Sequence, residues 1–184
     1  MKKGKAKFTK EIELPNGVDA SLSEQLITIK GPKGEAGKNI RQHQVTIKIG
    51  NRKISLESAG NGRVDKKTLN TLVAHVKNAI KGSMHNHAYT LKICSGHFPM
   101  NVVISNNKLV VKNFLGEKVP RGLKLKEGAE VKVEGDIIHV TSISKEIAGQ
   151  VSADIEQLTR RPGYDTRIFQ DGIYIINKDG KELK

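Results

Sequence analysis

Val45-Thr-Ile-Lys-Ile49 and Ile54-Ser-Leu-Glu-Ser58 alternate apolar and polar residues on either side of a short Gly50-Asn51-Arg52 link. Alternation with a period of two places one set of side chains on one face of a strand. A link this short closes two such strands into an antiparallel hairpin. The stretch is decisive because it occurs twice. Shifted by 84 residues, Ala129-Glu-Val-Lys-Val133 lies over the first strand and Ile138-His-Val-Thr-Ser142 over the second. Upstream, Val18–Glu35 lies over Met100–Glu117 without a gap, with Ser23 on Ser105, Lys30 on Lys112 and Gly34-Glu35 on Gly116-Glu117. Few identities match, but element order, spacing and hydrophobic phase agree, and a sequence reaches that by chance less easily than isolated identities.

Each hairpin leads into a helix. From Asp65 to Lys81, Leu69, Leu72, Val73, Val76 and Ile80 fall on one face, with Asp65 as a candidate N-cap and Gly82 as a candidate C′ residue. From Ser144 to Thr159, Ile147, Val151, Ile155 and Leu158 do the same. The predicted fold class is therefore α+β: two related tandem domains, each an antiparallel β-sheet covered on one face by an α-helix. The boundary is placed at Gly82–Asn86, giving a basic arm over residues 1–10, a first domain over 11–82 and a second over 83–184. The second ends on Ile173-Tyr-Ile-Ile176, where the strand pattern returns after the helix.

The chain has 184 residues and a formal net charge of +13, with 36% hydrophobic and 4% aromatic residues and no Trp. Any core is built from Ile, Val and Leu. The charge is uneven: residues 1–82 carry 17 basic and 7 acidic groups, residues 83–184 carry 15 and 12, and five lysines lie in the first ten positions. Such an excess points to a polyanion, because each phosphate neutralised by Lys or Arg releases a condensed counterion. No apolar run approaches the roughly 20 residues of a membrane helix, and no basic amphipathic helix suits a bilayer surface. The basic N-terminus has no apolar run behind it and does not read as a secretory signal. A single cysteine, Cys94, excludes an intrachain disulfide framework and favours a reducing, intracellular setting.

Several chemical motifs fail on inspection. Gly31-Pro-Lys-Gly34-Glu-Ala-Gly37-Lys38 lacks the Gly of a Walker loop at position 32, which is Pro, and Asn39 stands where Ser or Thr should hold magnesium. Its Gly-x-x-Gly follows a strand rather than joining two helices as a KH loop does, so it reads as a mobile basic loop. His85, His87, Cys94 and His97 have zinc-ligand chemistry. However, Cys94 sits in a strand pattern as a small core residue, and the histidines read as surface or RNA-facing groups. Cys94 is the one thiol nucleophile candidate and has no orienting third group. No metal, cofactor, small-molecule substrate or catalytic constellation is expected.

Two segments remain. Asn113-Phe-Leu-Gly-Glu-Lys-Val-Pro-Arg-Gly122 is a Gly/Pro-punctuated loop carrying Lys118 and Arg121. Arg160-Arg-Pro-Gly-Tyr-Asp-Thr-Arg-Ile-Phe-Gln-Asp-Gly-Ile-Tyr174 follows a helix end and puts Arg160, Arg161 and Arg167 beside Tyr164. Arg forks match phosphate pairs, and Arg and Tyr planes stack on unpaired bases.

On these residues the sequence resembles the sixth family of universal large-subunit ribosomal proteins, in its archaeal or eukaryotic form. The resemblance rests on Gln157, Arg160 and Arg167-Ile-Phe169-Gln-Asp171-Gly172-Ile-Tyr174-Ile, and on Lys30-Gly-Pro-Lys-Gly34, Ser95-Gly-His97-Phe-Pro99 and Asn113-Phe-Leu-Gly-Glu-Lys118. It spans residues 10–178. It implies a cytoplasmic, ribosome-bound, non-enzymatic protein that binds 23S ribosomal RNA near the sarcin–ricin stem-loop and the translation-factor docking site, beside neighbouring large-subunit proteins. It places RNA contact mainly in the second domain, here on His97, Lys118, Arg121, Arg160, Arg161, Tyr164 and Arg167. The alternative is a non-ribosomal RNA-binding module or RNA chaperone. One tension stands: the first domain is the more basic, whereas the resemblance puts the main grip in the second.

Overall fold

The computed structural model describes residues 8–23, 26–40, 45–50, 52–96, 98–165 and 167–183. Most of the basic arm and His97 lie outside them. The chain divides into two compact units, Met1–Asn86 and His87–Lys184.

The first unit contains β1 (Thr9–Glu13), β2 (Asp19–Ser23), β3 (Leu26–Gly31), β4 (Gly34–Asn39), β5 (Val45–Gly50), β6 (Lys53–Ser58) and α1 (Arg63–Met84). It holds two antiparallel three-stranded sheets, β1-β6-β5 and β2-β3-β4. The alternation read in the sequence becomes burial: Ile54 and Leu56 of β6 point inward, as do Ile27 and Ile29 of β3. Leu69, Leu72, Val76 and Ile80 of α1 complete this core.

α1 is longer at both ends than its apolar periodicity suggests. Gly62 is the N-cap, and Asp65 lies one turn in, its Oδ2 accepting the Gly62 amide at 3.0 Å. Gly82 is not the residue past the helix end; it is buried inside the last turn, and His85 is the C-cap. The reason is tertiary. The Gly31–Gly34 turn packs on this helix end, with the Lys33 amide donating to the Ser83 carbonyl at 3.0 Å. A Cβ on Gly31 would lie 2.6 Å from that carbonyl. The loop expected to be mobile is thus a two-residue turn pinned to a helix.

The second unit repeats the plan with β7 (His87–Cys94), β8 (Asn101–Ser105), β9 (Lys108–Lys112), a 3₁₀ turn (Phe114–Gly116), β10 (Arg121–Lys124), β11 (Glu130–Glu134), β12 (Ile137–Ser142) and α2 (Lys145–Leu158). It then adds β13 (Gly172–Lys178) and β14 (Lys181–Glu182). Its sheets are β10-β9-β8 and a five-stranded β11-β12-β7-β13-β14. Leu91, Ile138, Val140 and Ile173 pack under Ala148, Val151 and Ile155 of α2. Each domain is therefore sheet plus helix as expected, with two sheets rather than one.

His87 departs from its surface reading. It is fully buried at the start of β7, with Nδ1 3.1 Å from Asp179 Oδ2, and Lys145 Nζ lies 3.6 Å from the same oxygen. A buried imidazole survives only with a polar partner, which the β13–β14 hairpin supplies. Among the described residues no group of three His, Cys, Asp or Glu side chains is placed to hold a metal ion, and no helix is long and apolar enough to cross a membrane.

Candidate nucleic-acid interface

The two loops singled out in the sequence meet at the C-terminal end of α2. The first begins where β9 ends: Asn113 and Leu115 adopt left-handed backbone angles (φ 58° and 48°), and with Gly116 they turn the chain so that the Phe114 ring is buried. The second begins at Thr159, the α2 C-cap. Thr159 Oγ1 accepts the Ile173 amide at 2.9 Å, so the segment leaves the helix and returns to β13 over a fixed base.

Arg121, at the start of β10, ties the loops together. Its Nε and Nη2 donate to Glu117 Oε2 and Oε1 at 2.8 and 2.7 Å, and Nη1 donates to the carbonyls of Leu158 and Arg160 at 2.8 and 3.4 Å. Its guanidinium lies 4.4 Å from the Phe114 ring centroid. Four of the five donors of this fork are thereby occupied. The Arg121 hydrogen bond holds the Glu117 carboxyl below the usual carboxylate range, and Glu117 in turn raises Arg121. Arg121 is therefore turned inward as a brace, unlike the exposed Lys118 and Arg160.

Arg161 continues the chain of contacts. Its Nη1 is 3.4 Å from Glu117 Oε1, and its guanidinium lies 4.4 Å from the Tyr164 ring centroid. Tyr164 meets Phe169 edge-on, with centroids 5.0 Å apart. Phe114, Arg121, Glu117, Arg161, Tyr164 and Phe169 thus form one continuous train of stacked and charge-paired planes. Arg167 forks onto Asp165 at 3.1 and 2.9 Å, a hydrogen bond that lowers the Asp165 carboxyl and raises Arg167. The pair is solvent-exposed, so it shapes the loop more than it stabilises the fold. Lys118 and Arg160 stand exposed on the two loops, and Arg161 is half-buried.

These loops border a hollow of about 480 Å³, walled by Tyr164, Phe169 and Tyr174, with Glu156 and Asp171 among its acidic groups and Arg160 and Arg161 among its cations. Asp171 Oδ1 accepts the Gly96 amide at 2.5 Å and Glu156 Oε1 accepts the Ile175 amide at 3.1 Å, so backbone donors hold both carboxylates. The structure thus assembles Lys118, Arg121, Arg160, Arg161 and Tyr164 around one helix end, with Arg167 on the same segment. His97 lies outside the described residues, although Gly96 beside it is bonded to the hollow's Asp171. Sequence reading missed Glu117 and Phe114, the partners that position Arg121. The signal was present as an acid four residues before the Arg, which reads as a helical pair only when the segment is helical.

The family profile described as "Ribosomal protein L6" matches residues 98–172, the stretch that carries both loops. The chain is 39% identical to the large ribosomal subunit protein uL6 of Methanobrevibacter smithii over 95% of this chain and 98% of that one. It is 39% identical to that of Methanococcus vannielii over 97% and 98%, and 39% identical to that of Methanosarcina mazei over 93% and 97%. With these lengths and identities, the chain belongs to the ribosomal protein L6 family of the large ribosomal subunit.

Proposed function

We propose that the chain is a structural constituent of the large ribosomal subunit that binds 23S-type ribosomal RNA chiefly through its second unit, near the sarcin–ricin stem-loop and the translation-factor docking site. In this reading Lys118, Arg160, Arg161, Arg167 and His97 contact phosphates or bases, and Tyr164 offers a plane for stacking. Arg121 acts by bracing the two loops. Phosphate contacts set affinity and register, while shape and stacking on unpaired bases set the site. The protein rigidifies folded RNA in the ribosome, in the cytoplasm and beside neighbouring ribosomal proteins, and performs no chemistry of its own.

The observation that carries this reading is the brace. Glu117 and Arg121 hold the two cationic loops at one helix end, so the ordering cost of placing several Arg side chains is met before RNA arrives. Proximity to the sarcin–ricin stem-loop rests on the family resemblance. Sucrose-gradient fractionation of cell extract tests the whole: the chain is expected to sediment with large subunits at moderate salt. A chain spread across the gradient, or bound equally to unrelated RNAs, would support a general RNA chaperone instead.

A further inference from the structure

The second unit holds a hollow whose chemistry goes beyond phosphate contact. It measures about 480 Å³, within the roughly 300–1,000 Å³ range of small-ligand sites. Tyr164, Phe169 and Tyr174 supply flat apolar walls, and Tyr164 and Tyr174 are each 40% exposed. A solvent-facing aromatic wall is unusual in a chain with 4% aromatic residues. Gly172 is part of the construction: a Cβ there would lie 3.1 Å from the Tyr174 ring and hydroxyl, so glycine lets that ring close over the strand start. The polar lining mixes acceptors and donors: Asp171 and Glu156 with Gln157, Arg160 and Arg161. Asp171, 5% exposed, and Glu156 are each fixed by a backbone amide. Arg160 and Arg161 stand on the same wall, where the α2 C-terminus ends.

Resting on the ribosomal-RNA reading above, we propose that this hollow receives one unpaired base of the bound RNA. Extruded bases are held by stacking on aromatic planes and by hydrogen bonds to their edges. The lining offers a base edge both carboxylate acceptors and amide and guanidinium donors. The Arg160 and Arg161 cations then sit where the flanking phosphates pass.

The test uses the full chain on deproteinised large-subunit ribosomal RNA, with dimethyl sulfate, kethoxal and carbodiimide mapping of base edges at equal occupancy. Wild type is expected to protect one unpaired base. Tyr164→Ala, which removes a wall, and Gln157→Trp, which fills the hollow from an exposed position, are both expected to restore that base's reactivity, and Tyr164→Ala to weaken binding about tenfold. A footprint identical in wild type and both variants overturns the proposal, leaving the hollow to a protein side chain while the RNA reading stands. Failure of wild type to bind this RNA at all sinks the parent reading instead.

Discussion

The first unit carries 17 basic and 7 acidic residues, the second 15 and 12, yet it is the second that braces two cationic loops together. The repeat shows why. Gly31 and Asn113 occupy equivalent positions, at the ends of β3 and β9. After Gly31 the chain turns in two residues and packs on the end of α1. After Asn113 seven residues, beginning with a 3₁₀ turn, precede β10. After α1 the first unit ends; after α2 the second adds the 159–171 segment and the β13–β14 hairpin. The brace and the hollow are made almost wholly from those additions. The lesson is that net charge draws a polyanion, while the placement of a few forks and planes decides where it is held.

That contrast can be broken at its brace. Arg121→Ala removes two bonds to Glu117 and two to helix-end carbonyls, and should lower unfolding stability by about 2–3 kcal/mol in urea denaturation. Asn39→Ala, at an exposed end of β4 in the first unit, should stay within about 0.5 kcal/mol. Equal losses would deny the second unit its special construction.

Gly31→Ala tests the other side. The new methyl meets the Ser83 carbonyl and side chain, so the turn or the helix end must shift, costing about 2 kcal/mol by thermal melting. A neutral outcome would mean that the first-unit turn is not held as described.

The smallest effect is electrostatic. Glu117 titrates below its ordinary value in the folded protein. Its contribution is therefore present above the unfolded pKa, about 4.5, and is lost as pH falls through the lower folded value. Glu117→Gln should flatten the acid limb of the stability curve below about pH 4.5, by less than about 1 kcal/mol given partial exposure. An unchanged acid limb would remove Glu117 from the brace.

Much of this was legible in the sequence, for physical reasons. Period-two alternation at 45–49, 54–58, 129–133 and 138–142 reports burial directly, and the helix faces at Leu69–Ile80 and Ile147–Leu158 do likewise. The α2 limits follow its capping residues, Ser144 and Thr159. The α1 limits do not, because Gly82 is claimed by packing against the Gly31 turn. The cationic loops were visible as composition, but Arg121 and Arg160 look alike in sequence. Only tertiary geometry turns one inward onto Glu117 and leaves the other exposed. His87 misled for a similar reason, since its partner Asp179 lies far along the chain, in an added hairpin.

The most direct measurement compares the salt dependence of binding to large-subunit ribosomal RNA for two double variants. Arg160→Ala with Arg161→Ala alters the second unit's loops; Lys67→Ala with Lys77→Ala removes two exposed charges from α1. Each lost phosphate contact lowers the log–log slope by about one. The account predicts a slope reduced by about 1–2 with the arginine pair and nearly unchanged with the lysine pair. The reverse pattern would contradict it, showing that the more basic first unit, and not the braced loops, holds the RNA.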